Sequence, residues 1–273
     1  MLKTKKINNE VIKVIPTPKV DPKSIKGYNL IPMLYSNIFI CAQKRSGKTN
    51  VINKILENCI DKNTKVFVFA STHELDDNWK YIKEQFEKSN INAVFFTSIE
   101  EDKINNLENV LQFMKNDLTA EELEEKAENE ASNNLIEVLK FDENQGTKLK
   151  IKKPKLKVPK FMIVFDDMAM ELKKRNVAGL LKTFRHYKSK VIISSQWPLD
   201  LAPDARKQFD IFLLFKGHSK EKLEGLYQDM SINIPFEKFY EIYTQVTKEK
   251  YDFLYVNQHT CEFRKIFNEE III

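Results

Sequence analysis

Residues 37–49 read NIFICAQKRSGKT, an apolar run, a polar loop and then Gly-Lys-Thr at the start of an amphipathic segment. The last eight letters match the phosphate-binding pattern G-x-x-x-x-G-K-[ST], except that alanine replaces the first glycine. In such a loop, backbone N–H groups and the N-terminus of the following helix cradle phosphates. The pattern predicts an ATP site built from Ala42, Gln43, Lys44, Arg45, Ser46, Gly47, Lys48 and Thr49.

Three of these residues have distinct expected roles. Lys48 is expected to reach the β- and γ-phosphates, and the Thr49 hydroxyl to bind Mg²⁺. Alanine at position 42 changes little as long as that position does not need a positive φ, which glycine adopts more readily than other residues.

An acidic pair follows a second apolar run. The letters FMIVF (161–165) precede Asp166 and Asp167, so a buried strand would deliver both carboxylates to the sheet edge that faces the phosphate loop. We expect Asp166 to hold Mg²⁺, usually through water, and Asp167 to polarise the attacking water. Aspartate is a shorter base than the glutamate of many such ATPases.

A third apolar run, VIISS (191–195), also ends in polar residues and is followed by Gln196. In ATPases with an extra strand between the phosphate-loop strand and the acidic strand, a polar residue here touches the γ-phosphate or the attacking water. We assign this role to Gln196, with Ser194 and Ser195 as alternatives. The alternative is that the strand simply ends in a polar turn and that these residues have no role at the nucleotide.

Arginine is scarce, because the 44 basic residues include only five arginines. Arg185 and Arg206 flank the strand that precedes Gln196. A guanidinium near the γ-phosphate accelerates hydrolysis when it is supplied as a finger, since its planar fork bridges phosphate oxygens. Arg185 and Arg206 could instead be surface or helix-capping arginines. Arg45 lies among the variable residues of the loop, and an arginine there more often points to solvent.

Apolar runs alternate with helical periodicity along the chain. We therefore predict an α/β fold: a RecA-like P-loop NTPase core of the ASCE type, with a mostly parallel sheet and helices on both faces. Further predicted strands are 65–70, 93–97 (at an edge), 211–215, 251–256 and 261–264. Predicted helices are 50–60, 78–88, 177–188, 219–230 and 235–246.

The expected organisation is an N-terminal arm (1–28) and a single ATPase domain (29–273). Within this domain, 98–160 contains few large apolar residues and is interpreted as a charged helical insertion with a basic linker. Thr119-Ala120-Glu121-Glu122 is a capping-box pattern that would open an acidic helix ending near Leu139. The lysines between 148 and 160 could track a phosphate backbone or form a solvated linker.

Composition sets further limits. The 273 residues carry a formal charge of +5, which is compatible with a polyanionic partner without demonstrating one. No apolar run is long enough to span a bilayer, and no secretory signal is apparent, so we expect a soluble protein without a membrane partner. Three scattered cysteines and four histidines without metal spacing favour a reducing compartment and no structural zinc.

These motifs occur in an informative order. The Gly-Lys-Thr loop is followed by Asp166-Asp167-Met168, by Arg185-His186, by Ser195-Gln196-Trp197-Pro198 and by Leu201-Ala202-Pro203-x-x-Arg206. The arrangement resembles the viral genome-packaging ATPases of the FtsK–HerA class, found in poxviruses, giant viruses, virophages and polinton-like elements. The resemblance covers roughly residues 35–216.

The resemblance implies a ring of identical subunits that uses ATP and Mg²⁺ to drive double-stranded DNA, without sequence preference, into a preformed capsid. Capsid proteins are then expected partners, and the host cytoplasm, a viral factory or the virion the expected location. It also implies that Arg185, before Arg206, is the finger that reaches a neighbour's site.

Three other functions compete, and one of them is a non-catalytic nucleotide-regulated scaffold, which measurable turnover would exclude. A cellular or plasmid-borne DNA translocase or helicase-like ATPase shares the motor chemistry. A small-molecule P-loop kinase would need an arginine-rich lid, which five arginines hardly supply, and the strand that ends at Gln196 also counts against it.

Overall fold

The computed structural model describes residues 20–139 and 156–273, with the side chains of 125–139 left out. Its strands are β1 (Asn37–Cys41), β2 (Lys65–Ala70), β3 (Ala93–Phe96), β4 (Glu100–Glu101), β5 (Ile104–Asn105), β6 (Phe161–Asp166), β7 (Ser189–Ser195), β8 (Ile211–Phe215), β9 (Phe253–Asn257), β10 (Glu262–Lys265) and β11 (Glu269–Ile271). Its α-helices are α1 (Lys48–Cys59), α2 (Asp77–Lys88), α3 (Asn106–Leu139), α4 (Arg175–Thr183), α5 (Pro203–Arg206), α6 (Lys220–Asp229) and α7 (Phe236–Val246).

Nine strands form one sheet in the order β11-β10-β9-β8-β1-β7-β6-β2-β3. The six strands from β8 to β3 run parallel, while β9, β10 and β11 extend the sheet with antiparallel pairs. The predicted mostly parallel sheet is therefore confirmed, and β3 lies at its edge as predicted. Strand β7 separates β1 from β6, which is the extra-strand arrangement typical of the predicted ASCE core.

Both faces of the sheet are covered by helices, as predicted. Successive side chains of a strand point to opposite faces, so continuous apolar runs such as those of β1, β6 and β8 supply two cores at once. One core contains buried side chains of α1 and α2. The other contains buried side chains of α3, α4, α6 and α7.

The first part of the predicted helical insertion at 98–160 packs into the core of the domain. Ile99, Leu107 and Met114 are fully buried in the core that covers one face of the sheet. The helix begins at Asn106, and Thr119 lies inside it, where its Oγ1 donates to the Lys115 carbonyl at 3.0 Å. The capping-box prediction failed because a helix already held by apolar contacts passes through this pattern.

The basic linker is described only at its end, since lysines 148–155 lie outside the described residues. Lys157 pairs with the segment after the N-terminal arm: its N–H donates to the Ser24 carbonyl at 2.7 Å, and Lys26 donates back at 2.9 Å. Lys160 is only 17% exposed and binds Asp117 and Glu121 at 3.0 and 2.9 Å. Lys160 is therefore neutralised within the fold, which argues against a phosphate contact at this position.

Several boundaries differ from the predictions. Helix α4 ends at Thr183, so Arg185 lies in the turn before β7 and not on a helix. The C-terminal region adds a third strand, β11, that we did not predict from the sequence. Its three residues, Glu-Glu-Ile, are too few to show an alternation of apolar and polar side chains. Among the described residues, no helix has the length and apolar character needed to cross a membrane.

Candidate ATP-hydrolysis site

Three neighbouring parallel strands, β1, β7 and β6, end at the same edge of the sheet. The register pairs Cys41 with Ser195 and Asp166 with Ser194. The polar residues that follow each strand therefore meet at what we call the carboxyl edge. This location is where parallel α/β sheets bind ligands, because strand ends and helix N-termini converge there.

The predicted phosphate loop turns sharply into α1. Gly47, with a φ of 87°, immediately precedes the first residue of α1, and Arg45 has a φ of 61°. Ala42 does not adopt a positive φ, which confirms that alanine can replace the first glycine of the pattern. The loop is fixed on one side by Gln43, whose Nε2 donates to the Gly217 carbonyl at 2.6 Å.

His218 holds the end of the strand that leads into the loop. One ring nitrogen, Nε2, lies 2.9 Å from the Cys41 carbonyl oxygen, and the His218 N–H donates to the Tyr243 hydroxyl at 3.1 Å. Burial lowers the pKa of His218 to about 4, so the ring is neutral at pH 7. A neutral imidazole donating from Nε2 satisfies the carbonyl without placing a charge behind the loop.

The predicted loop lysine and acidic pair form one cluster. Lys48 Nζ contacts Asp167 Oδ2 directly and lies 3.6 Å from Asp166 Oδ1. Lys48 and Asp166 are buried, whereas the Asp167 side chain is 36% exposed. Asp167 also has a φ of 54°, a left-handed conformation that aspartate tolerates better than bulky residues. The chain thus turns sharply after β6 and presents this second carboxylate to the lysine.

The residues fit the predicted Mg²⁺. Thr49 Oγ1 lies 3.5 Å from Asp166 Oδ2, and among the described residues the buried Asp166 Oδ1 finds no hydrogen-bond donor. Burial raises the pKa of Asp166, an effect opposed by Lys48 and reinforced by Asp167. A hydroxyl and a carboxylate are hard oxygen ligands, and Mg²⁺ commonly takes one or two such groups together with phosphates and water. In the described part of the chain, no group of three or more His, Cys, Asp or Glu side chains forms an alternative metal cage.

One residue of this site lies outside every motif that the sequence analysis identified. Trp79, fully buried in the first turn of α2, donates from Nε1 to Asp166 Oδ2 at 3.0 Å. Its ring packs edge-on against Phe95, with centroids 6.1 Å apart. The indole thus fixes the orientation of the carboxylate, as groups that hydrogen-bond to metal ligands do. The sequence showed only a tryptophan at the start of a predicted helix, and its partner lies 87 positions away.

Trp79→Phe should raise the Mg²⁺ concentration needed for half-maximal ATP hydrolysis by about tenfold, because Asp166 loses the donor that orients it while the aromatic bulk remains. The measurement is ATPase rate against free Mg²⁺ at saturating ATP. Phe86→Leu is the matched control, since Phe86 is another buried aromatic side chain of α2 and contacts Phe95 without a polar group. An equal shift in both variants would show that Trp79 acts only through packing.

The structure places Gln196 beside the phosphate loop. A cavity of about 440 Å³ is lined by Gln43, Lys44, Gln196 and Lys222, among others. Ser194 is fully buried beside Asp166, and Ser195 Oγ donates to Asp200, so both hydroxyls are less exposed than Gln196. Gln196 therefore remains the predicted residue for contact with the γ-phosphate or the attacking water.

The two arginines lie away from this cluster. Arg185 NH2 is 3.2 Å from Asp210 Oδ1, and Asp210 precedes β8 at the opposite, amino edge of the sheet. Arg206 Nε lies 2.7 Å from Oδ2 of Asp229, the last residue of α6. Helix α6 begins near the carboxyl edge, so its last residue lies toward the amino edge. Each guanidinium is therefore paired with a carboxylate away from the cluster of Lys48, Asp166 and Asp167.

Comparison with known proteins finds distant structural similarity. No protein-family model and no curated sequence matches the chain. The genome-packaging NTPase B204 of Sulfolobus turreted icosahedral virus 2, in complex with AMP, has 15% identity and a TM-score of 0.49, with 88% of this chain and 100% of that chain covered. B204 of Sulfolobus turreted icosahedral virus, a DNA-packaging ATPase, has 16% identity and a TM-score of 0.48 over the same shares. The pCW3 conjugation coupling protein TcpA has 11% identity and a TM-score of 0.47, covering 89% and 62%.

Proposed function

We propose that this chain is an ATP-hydrolysing motor that moves double-stranded DNA into a viral capsid. The observation that carries the ATPase assignment is the cluster of Lys48, Asp166 and Asp167 at the carboxyl edge. Strand β7 lies between the strands that position these residues, which supports an ATPase over a small-molecule P-loop kinase.

Each side chain then has a defined task in hydrolysis. Lys48 leaves the carboxylates to bind the β- and γ-phosphates and neutralises charge that develops during phosphoryl transfer. Thr49 and Asp166 would hold Mg²⁺, which would neutralise negative charge on the phosphates. Asp167 accepts a hydrogen bond from the water that attacks the γ-phosphorus, and Gln196 orients that water. The products are ADP and phosphate.

The motor assignment rests on the ordered motifs from the phosphate loop to Arg206, which resemble viral packaging ATPases. Both finger candidates lie at the amino edge, remote from their own phosphate loop. A ring of identical subunits, in which one amino edge meets the next carboxyl edge, would complete each site. Capsid proteins are the further partners that this function requires. A cellular translocase would share the ring without the capsid.

Duplex DNA of any sequence should bind with equal affinity and stimulate ATP hydrolysis, because lysine–phosphate contacts carry no sequence information. The logarithm of the binding constant should fall linearly with the logarithm of salt concentration, by about 0.9 for each phosphate neutralised. Fluorescence anisotropy with two unrelated duplexes at several salt concentrations measures both. A strong preference for one duplex would contradict the packaging motor.

The same titration tests the basic linker. Replacing Lys148, Lys150, Lys152, Lys153 and Lys155 by glutamine should flatten the salt dependence if these lysines contact phosphates. Lys160→Gln is the matched control, because this lysine is already bound to Asp117 and Glu121. An unchanged slope in the fivefold variant would identify the segment as a solvated linker.

A further inference from the structure

An exposed aromatic ring lies against the phosphate loop. Tyr251 is 59% exposed, yet its Cδ1 lies only 3.3 Å from where a Cβ on Gly47 would be. Gly47 lacks that atom, so the ring packs directly over the backbone of the residue that precedes α1. None of the steps of hydrolysis described above uses this ring.

The ring is held in place by the turn that leads into β9. The next residue, Asp252, is buried, and its carbonyl accepts the Lys216 N–H at 3.3 Å. Its side chain accepts the Glu249 N–H at 3.0 Å and lies 3.5 Å from Lys265 Nζ. These contacts tie the turn to the end of β8, so Tyr251 is presented to the loop from a fixed support.

The order of strands gives the direction in which a bound nucleotide runs. Lys48 reaches across β7 to the carboxylates at the carboxyl end of β6, so the terminal phosphate faces that side of the loop. The nucleoside must then leave the loop on the other side, toward β8 and β9. Strand β9 begins at Phe253, two residues after Tyr251.

We propose that Tyr251 stacks on the base of the bound nucleotide, and that the loop and this ring together select a nucleoside phosphate over an inorganic phosphate chain. This inference rests on the proposed ATPase function. Aromatic side chains stack on the flat faces of bases, and such contacts account for a large share of affinity. Lys250 Nζ lies 5.0 Å from the ring centroid and adds positive charge beside the nucleoside path.

The test compares ADP with inorganic pyrophosphate, because the two share the phosphates and differ in the nucleoside. Both are titrated with Mg²⁺ into the full chain by calorimetry. Tyr251→Ala should weaken ADP binding by about tenfold or more and leave pyrophosphate binding within about twofold. Tyr251→Phe, the matched control, keeps the ring and should bind ADP like the wild type.

Three results would contradict the proposal that Tyr251 stacks on the base. ADP affinity could be unchanged in Tyr251→Ala, or ADP and pyrophosphate could weaken equally, which would mean that the ring only supports the loop. Alternatively, Tyr251→Phe could lose as much ADP affinity as Tyr251→Ala, which would assign the effect to the hydroxyl. In each case the wild type would still bind ADP and hydrolyse ATP. Wild-type protein that bound neither ligand would refute the ATPase function itself, and the base site with it.

Discussion

Lys48→Ala should lower the rate of ATP hydrolysis by at least about 10³-fold, because the ammonium is the positive charge that the loop brings to the transferred phosphoryl group. In the structure this ammonium already lies between Asp166 and Asp167, on the side where the terminal phosphate would bind. The measurement is phosphate release at saturating ATP and Mg²⁺. Turnover within a few-fold of the wild type would mean that the nucleotide site is elsewhere.

The control must separate lost chemistry from lost folding. Removing Lys48 leaves two carboxylates close together, one of them buried, without their counter-charge, so some loss of stability is expected. Thermal unfolding of the variant measures that loss. Lys54→Ala removes the same charge from an exposed position of the same helix and should leave turnover unchanged.

Asp167→Asn provides the complementary contrast. Asparagine has the same shape and adopts the left-handed conformation of position 167 readily, so the turn should persist. ATP and Mg²⁺ should still bind while hydrolysis collapses, since the amide cannot polarise the attacking water as a carboxylate does. If binding and turnover fell together, Asp167 would be supporting the metal as well as Asp166.

Arg185→Ala should lower hydrolysis by about 10³-fold in the assembled protein, with ATP binding nearly intact, if this guanidinium completes the site of a neighbouring subunit. Its side chain is 61% exposed at the amino edge, where a neighbour can reach it. Asp210 would still accept the Asn37 N–H and contact His259, so the fold should tolerate the change. Arg185→Lys, which keeps the charge without the planar fork, should recover little activity.

The decisive measurement mixes two inactive proteins. Lys48→Ala subunits keep Arg185, and Arg185→Ala subunits keep the phosphate loop, so a mixed assembly contains some complete sites. Partial recovery of ATPase activity supports the finger. No recovery despite demonstrated co-assembly would contradict it. Recovery with Arg206→Ala in place of Arg185→Ala would assign the role to Arg206, whose side chain is only 18% exposed in its pair with Asp229.

Local patterns predicted most of the sheet and the centre of the site. The continuous apolar runs of β1 and β6 identify them as buried strands, and the glycine-lysine-threonine loop follows β1 within a few residues. The packing of α3 into the core was not predicted, for the converse reason. The apolar residues that bury α3 are spaced along a helix of mostly polar and charged residues, so they do not stand out as a run.

The sequence alone thus determined the α/β class, the phosphate loop and the acidic pair, because each depends on residues adjacent in the chain. Only the tertiary structure decided what surrounds them. Trp79 reaches Asp166, and Tyr251 reaches Gly47, across separations of the chain that leave no local signature. It also decided that Arg185 lies at the far edge of the sheet, since strand order sets which ends meet and no single segment records that order.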